Sequence, residues 1–201
     1  MRRKWVTGVC CGLAIAIPTI AQAQEFRVFD HRLSRVEKPA DKEVTYDPSY
    51  YSIDYPNGDI PSDMGVCTDV VIRAYRKLDI DLQKEVHEDM KENFSKYPKK
   101  WGHTTTDKNI DHRRVPNLMT FFKRRGASLP ITTYPSDYLP GDIVCWDLGG
   151  AITHIGIVVT LKSKDLLRNK IVHNIGQGQV MEDCLFNFRI IGHYRYPVGK
   201  D

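Results

Sequence analysis

The hydrophobic period of the chain changes near Pro130, and this change limits the folds that the chain can adopt. Before Pro130, apolar residues recur at every third or fourth position, as on one face of an amphipathic helix. After Pro130, short β-prone runs are separated by turn residues. Helices followed by an antiparallel meander predict an α+β domain, in which N-terminal helices pack on an antiparallel β-sheet.

The same patterns give approximate bounds for each element. Gly65 lets the backbone turn into the first helix, and Ser62 or Asp63 can cap the start of that helix. Apolar periodicity predicts helices at 66–78, 82–95 and 115–125, and β-prone runs predict strands at 142–146, 152–161, 170–175, near 180 and at 188–196.

The N-terminus has the pattern of a secretory signal. Three basic residues at positions 2–4 precede an apolar run at 5–20 that contains Pro18, and Ala21-Gln22-Ala23 is a small-x-small cleavage site. We therefore interpret residues 1–23 as a signal peptide that is cleaved after Ala23. This interpretation predicts a periplasmic or secreted protein with no membrane span after cleavage.

The rest of the chain divides into an arm and a domain. Residues 24–49 are mixed polar with little periodicity, which indicates an N-terminal arm or linker, and residues 50–201 carry the predicted domain. The formal charge of the chain is +4, and removal of the three basic residues of the signal leaves +1 (+4 − 3). A nearly neutral mature chain does not indicate a nucleic-acid surface.

Three cysteines remain in the mature chain, at Cys67, Cys145 and Cys184. The odd number indicates a free thiol in an oxidising compartment, and a Cys145–Cys184 disulfide that leaves Cys67 free is one alternative. The cysteines form no CxxC pair and have no zinc-ligand spacing, so neither a metal nor a cofactor is expected.

Cys67 stands in the first turn of the first predicted helix. The positive end of the helix dipole favours the thiolate, which is the nucleophilic form of cysteine. The alternative is a buried cysteine that packs as a small apolar side chain. Downstream, His154 and His173 lie on neighbouring predicted strands that are otherwise largely apolar. If the strands pair, one imidazole can orient the other, as a cysteine hydrolase requires.

Three blocks of sequence, in order, carry a family resemblance. They are Gly65-Val66-Cys67-Thr68-Asp69, Pro140-Gly141-Asp142-Ile143-Val144 followed by Thr153-His154-Ile155-Gly156-Ile157, and Val172-His173-Asn174. Together they resemble the NlpC/P60 superfamily of papain-like cysteine peptidases of bacterial cell walls. Within it, the chain is similar to a group of uncharacterised secreted bacterial domains.

The resemblance implies a role for each matched residue. Cys67 would be the nucleophile, His154 the general base and acid, and His173 the residue that orients His154. Asn174 is the alternative third residue, and since neighbouring strand residues point to opposite faces, only one of the two can reach His154. Tyr55 falls near the position of a tyrosine that contacts substrate in that superfamily.

Three charged residues are further candidates for substrate binding. Asp69 can contact a substrate amine, or it can be a solvated carboxylate that the helix dipole favours. Arg113 and Arg114 lie in an unusual Asp-His-Arg-Arg cluster, and either can bind a peptide carboxylate in a fork. The alternative for Arg113 and Arg114 is a loop network that fixes the 80–130 segment to the core.

The resemblance implies a secreted cysteine hydrolase that cleaves amide bonds in peptidoglycan peptides through a Cys67 thioester. One alternative is an amidase or acyltransferase with the same chemistry on a substrate outside the wall. Another is a non-catalytic module that binds the wall or a partner. Val66 and Asp69, which differ from the superfamily pattern beside the cysteine, motivate the last alternative.

Overall fold

The computed structural model describes residues 44–196, so the predicted signal, most of the arm and the last five residues lie outside the described part of the chain. Three helices are present there: α1 (Cys67–Arg76), α2 (Leu82–Glu92) and α3 (Val115–Arg124). The strands are β1 (Thr45–Tyr46), β2 (Met64–Gly65), β3 (Ile143–Gly149), β4 (Ile152–Lys162), β5 (Asn169–Asn174), β6 (Gln179–Glu182) and β7 (Arg189–Tyr194). The predicted α+β class is therefore confirmed.

The first helix begins with a cap that differs from the prediction. The N-cap residue is Val66, and the side chain of Asp69 accepts a hydrogen bond from the Val66 N–H at 2.7 Å. The predicted capping by Ser62 or Asp63 is wrong, because Met64 and Gly65 form a short strand between those residues and the helix. A carboxylate in the first turn thus satisfies a backbone donor at the helix start.

The other two helices begin as their sequences predict. Asp81 caps α2 by accepting hydrogen bonds from the N–H groups of Gln83 and Lys84. Pro116 lies in the first turn of α3, where its missing N–H costs nothing. Each α-helix is slightly shorter than its apolar pattern, and a single 3-10 turn at Phe94–Lys96 extends α2.

Five strands form one antiparallel sheet in the order β6-β5-β4-β3-β7. The first four make the predicted meander, but β7 returns to the other edge and pairs with β3. A continuous meander is therefore the wrong order for the last strand. The arm contributes β1, which pairs in parallel with β2 and brings Tyr46 opposite Gly65.

The sheet has a different apolar cluster on each face. Cys145 and Ile155 are opposite each other in the β3–β4 register, and both pack in the cluster that contains the three helices. Trp146 and Val158 belong to the second cluster, together with Tyr138, Val144, Ile171, Cys184 and Leu185. Alternation along β3 and β4 thus separates a helix face from a second face.

The same alternation separates two of the cysteines. Cys145 lies on the helix face, whereas Cys184 lies in the cluster on the second face. All three cysteines within residues 44–196 are free thiols. The alternative of a Cys145–Cys184 disulfide is therefore not realised in the structure. In the same range, no helix has the length and apolar character needed to cross a bilayer.

A buried ion pair fixes the 80–130 segment to the first helix. Arg113 donates two hydrogen bonds to Asp69, with Nε at 2.9 Å from Oδ1 and Nη2 at 3.1 Å from Oδ2. Both side chains are buried, and the backbone carbonyl of Arg113 accepts the hydroxyl of Thr68. The pair joins a 3-10 turn at Asp111–Arg113 to the start of α1.

We expect Asp69→Ala to lower the free energy of unfolding by about 3–5 kcal/mol, because it leaves a buried guanidinium without its partner. Urea denaturation measures the change. The matched control is Asp63→Ala, which removes an exposed carboxylate near the same helix start and should cost less than about 0.5 kcal/mol. Equal losses in the two variants would show that the ion pair is not a main support of the fold.

His112, inside the same 3-10 turn, should make the fold sensitive to acid. Burial, followed by the positive charges of Arg113 and Arg76, lowers the pKa of His112 to about 3. Below pH 6.5 the unfolded chain therefore takes up a proton that the folded chain refuses, and stability falls as the pH falls.

We expect this histidine to contribute a slope on the order of 1 kcal/mol per pH unit between pH 6 and pH 4. Urea denaturation across that range should give a flatter pH dependence for His112→Gln than for the wild type, whatever the variant's stability at pH 7.5. Parallel curves would rule out His112 as the origin of the acid sensitivity.

Candidate active site

Cys67 opens α1 at the place where the helix meets the sheet. Its side chain is buried, and the backbone N–H of Ile155 on β4 favours the thiolate form of its sulfur by lowering its pKa. The N–H groups of Thr68 and of Cys67 itself act in the same direction on that pKa. Three backbone N–H groups therefore favour negative charge on sulfur or on a neighbouring oxygen.

The resting thiol is nevertheless protonated. Burial raises the pKa of Cys67 to about 12, and the charge of Asp69 adds to the rise, against the three backbone donors. The helix dipole alone was expected to favour a thiolate, but desolvation outweighs it at this position. The group is thus a neutral thiol that needs a base to become a nucleophile.

His154 and His173 form a buried pair on β4 and β5. Nε2 of His154 lies 2.9 Å from Nδ1 of His173, and the rings meet edge to face with centroids 5.0 Å apart. Burial, together with the neighbouring His173, lowers the pKa of His154 to about 3. Both rings are therefore neutral at physiological pH, and one donates a proton to the other.

Gly156 explains why the two histidines can meet. A Cβ at Gly156 would lie 2.6 Å from the side chain of Ile171 and 3.2 Å from Cβ of His173. The absence of a side chain lets β5 approach β4 beside His154. The close approach is a local requirement for glycine within the His-x-Gly motif.

The neighbouring Asn174 has a different task. Its Nδ2 donates to the carbonyl of Gly65 at 3.0 Å, and its Oδ1 accepts the N–H of Gly176. These bonds fix the turn that leads into α1. His173, and not Asn174, contacts His154, as the alternation of strand side chains requires for one of the two.

The thiol and the imidazole are adjacent along the strand but are not bonded. The backbone N–H that lowers the pKa of Cys67 most belongs to Ile155, which is the residue after His154. Within residues 44–196, the hydrogen bonds of His154 include none to the Cys67 sulfur. By the alternation along β4, the His154 ring lies on the second face beside Trp146, with the ring centroids 5.8 Å apart, whereas Cys67 packs in the helix-face cluster. A proton transfer between them therefore requires a rearrangement at this end of β4.

The predicted substrate-binding residues lie in several places. Asp69 and Arg113 are buried and bind each other, which is the network alternative for Arg113. The guanidinium of Arg114 stacks on Trp101 with its carbon 4.1 Å from the ring centroid, and it also contacts His103. Tyr55 makes an edge-to-face contact with the ring of His87, on α2.

Tyr46 is a candidate that the sequence did not reveal. It lies opposite Gly65 on β1, and burial followed by the charges of Cys67 and Asp69 raises its pKa. Tyr46 is 40% exposed, so its ring is open to solvent. The predicted tyrosine, Tyr55, was chosen by sequence distance from the cysteine, whereas the β1–β2 pair places Tyr46 opposite Gly65, two residues before the cysteine.

A second group of polar side chains adjoins the histidine pair. Nε2 of His173 is 3.5 Å from Sγ of Cys184 and 3.4 Å from Oε2 of Glu182. The three ligand-type atoms lie within 4.8 Å of one another. Sequence spacing did not indicate this group, because its members come from β5, from the last residue of β6 and from the segment after it.

Comparison with known proteins gives the family. A family model described as "Domain of unknown function (DUF1287)" matches residues 33–196. The chain belongs to the DUF1287 family. It is also 53% identical over 153 residues to a protein of Escherichia coli (strain K12) that is named "Uncharacterized protein YijF". The match covers 76% of this DUF1287 chain and 74% of the relative.

This membership corrects the NlpC/P60 assignment, which is wrong. The motifs that suggested it have local structural causes in this DUF1287 chain. Gly141 has a positive φ of 91°, and the carboxylate of Asp142 is bound inside the protein by His193 and Arg195. Pro-Gly-Asp therefore marks a turn that ends in a buried ion pair, and Gly156 marks a close strand approach. Neither requires that superfamily.

We expect iodoacetamide to modify Cys67 slowly in the folded protein at pH 7.5, since the thiol is buried and its pKa is about 12. Peptide mapping by mass spectrometry measures the rate. The control is the same chain in urea, where the cysteine should react at least about a hundredfold faster because its pKa returns to the ordinary range. Similar rates in the two states would contradict a protonated, buried thiol.

Proposed function

We propose that the protein is a cysteine hydrolase of amide bonds, with Cys67 as the nucleophile and His154 as the base. The observation that carries the proposal is that the backbone N–H of Ile155, the residue after His154 on β4, acts on the Cys67 sulfur, while His154 itself contacts His173. A thiol at a helix start, packed on an antiparallel sheet that carries an imidazole, supplies the two groups that a cysteine hydrolase needs.

The protonation states favour general-base activation over a stable ion pair. The thiol of Cys67 is neutral, with a pKa of about 12, and the imidazole of His154 is neutral, with a pKa of about 3, so a resting thiolate–imidazolium pair is costly. His154 would remove the thiol proton as sulfur attacks the carbonyl carbon. It would then deliver that proton to the leaving amine, which leaves a thioester on Cys67.

Water completes the reaction. His154 would take a proton from water as its oxygen attacks the thioester, and the proton would return to sulfur as the acid leaves. His173 would hold the ring of His154 in place through the 2.9 Å contact. The N–H groups of Cys67 and Thr68 are the donors available to a tetrahedral oxyanion.

We further propose peptidoglycan peptides as the substrate, in the periplasm or outside the cell. The signal-like N-terminus and the near-neutral charge of the mature chain support this setting. Arg114, stacked on Trp101, offers a partly exposed cation for a peptide carboxylate. The same thiol chemistry on a different amide or acyl substrate is the alternative, and the products distinguish the two.

A non-catalytic binding module is the second candidate function. The buried thiol and the lack of a Cys67–His154 hydrogen bond within residues 44–196 favour it. It makes a different prediction for variants, because binding to sacculi would survive the loss of the thiol.

We expect the purified protein to release new peptide fragments from sacculi, and Cys67→Ala to abolish them by removing the nucleophile. Mass spectrometry of the soluble fragments measures the effect. His154→Gln should lower the rate by about 10²–10⁴-fold through the loss of the base. The control is Cys145→Ser, a buried thiol on the helix face that the mechanism does not use.

Two results would contradict the proposal. Identical fragments from the wild type and Cys67→Ala would exclude this cysteine as the nucleophile. Unchanged sacculi with retained binding in a pull-down by both proteins would support the binding module. Circular dichroism of each variant verifies that the fold is retained.

A further inference from the structure

The His173, Glu182 and Cys184 side chains form a group with the chemistry of a metal site. They offer an imidazole nitrogen, a carboxylate oxygen and a sulfur, which are the three ligand types that Zn²⁺ accepts. The group lies on the second face of the sheet, where Cys184 has no part in the proposed hydrolysis.

The spacing of the ligand atoms fits a tetrahedral ion. Zn–N, Zn–O and Zn–S distances of about 2.0–2.3 Å at tetrahedral angles place neighbouring ligand atoms roughly 3.3–3.6 Å apart. The observed separations from His173 Nε2 are 3.4 Å to Glu182 and 3.5 Å to Cys184. Both values fall in that interval, and the ligand atoms of Glu182 and Cys184 lie within 4.8 Å of each other.

The surroundings also suit a cation. Arg168 holds Asp183 by two hydrogen bonds, at 2.7 Å from Nε and 2.6 Å from Nη2, and so fixes the segment between two of the ligands. The Glu182 side chain is 52% exposed, which gives an ion a route from solvent, whereas His173 and Cys184 are buried. A carboxylate and a thiolate together neutralise a divalent ion.

The second ring nitrogen of His173 also has a hydrogen-bond partner, as in known metal sites. His173 presents Nε2 to the other two ligands and Nδ1 to His154 at 2.9 Å. Ligating histidines use their second ring nitrogen in this way, and the partner sets the tautomer of the ring.

We propose that His173, Glu182 and Cys184 bind Zn²⁺ through one nitrogen, one oxygen and one sulfur, with a fourth position open to water. Binding converts the Cys184 thiol to a zinc-bound thiolate and releases one proton to solvent. The site itself does not depend on the proposed hydrolysis.

Zinc at this site would change the proton on the histidine pair. A metal-bound Nε2 carries no proton, so neutral His173 must carry its proton on Nδ1 and donate it to Nε2 of His154. His154 then keeps its own proton on Nδ1 and has no free nitrogen with which to accept the thiol proton. Zinc would therefore inhibit the hydrolysis, a consequence that rests on the proposed function.

The binding test uses the reduced, chelator-treated protein and Zn²⁺ alone, followed by calorimetry. We expect stoichiometric binding by the wild type, weakened by at least about tenfold in Glu182→Gln, since losing a ligand should cost no less than losing an outer-shell partner. Because Glu182 is largely exposed, this substitution should leave the fold intact. The matched control is Glu92→Gln, an exposed carboxylate on α2, which should bind like the wild type.

Co²⁺ reports the sulfur ligand directly. We expect a thiolate-to-cobalt charge-transfer band in the wild type and in Cys145→Ser, and its loss in Cys184→Ser. A band that survives in Cys184→Ser, or equal Zn²⁺ affinity in the wild type and Glu182→Gln, would overturn the site. Weak Zn²⁺ binding that is the same in Glu182→Gln and Glu92→Gln would also overturn the site. Such binding would come from scattered surface groups.

The inhibition test separates the two proposals. Zn²⁺ should inhibit sacculus digestion by the wild type at concentrations about tenfold lower than those needed for Glu182→Gln. Binding without any activity in the metal-free protein would leave the zinc site standing and count against the hydrolase. Equal inhibition of the two proteins would show that the ion acts at Cys67 and would overturn the proposed effect on the histidine pair.

Discussion

The buried carboxylate of Asp69 supports both the start of α1 and the position of the 80–130 segment. It accepts the N–H of Val66, and it binds the guanidinium of Arg113 through two hydrogen bonds. Since the first turn of α1 carries Cys67, one charged group fixes the thiol's backbone and attaches the 3-10 turn at Asp111–Arg113 to it. A buried charge of this kind is costly unless it is fully paired, and here every oxygen has a donor.

Much of the fold follows from local patterns, because helix and strand periods are properties of neighbouring residues. The three helices, the β3–β6 meander and the α+β class were all predicted in this way. The place of β7 beside β3 was not, because it depends on which sheet edge the last strand covers. The cap at Val66 was missed for a related reason: the short β1–β2 pair occupies the residues that would otherwise cap the helix.

The candidate site shows the same division. His154 and His173 could be paired from sequence, because two polar residues in apolar neighbouring strands have few partners other than each other. Tyr46 and Glu182 could not, since their partners are reached through strand pairing and not through sequence distance. The motifs gave the wrong family because glycine is needed in many sheets for a turn, as at Gly141, or for a close strand approach, as at Gly156.

The imidazole of His173 belongs both to the His154 pair and to the group with Glu182 and Cys184. It cannot serve both in the same tautomer. As the partner of a base, it must accept a proton on Nδ1 from His154, so that the other nitrogen of His154 stays free. As a metal ligand, it must carry that proton itself and offer Nε2 to the ion. The distances from His173 suit both states, since its Nε2 lies 3.4 Å from Glu182 and 3.5 Å from Cys184 while its Nδ1 lies 2.9 Å from His154. A ring between two such groups can therefore couple ion binding to the state of Cys67 through one shared proton.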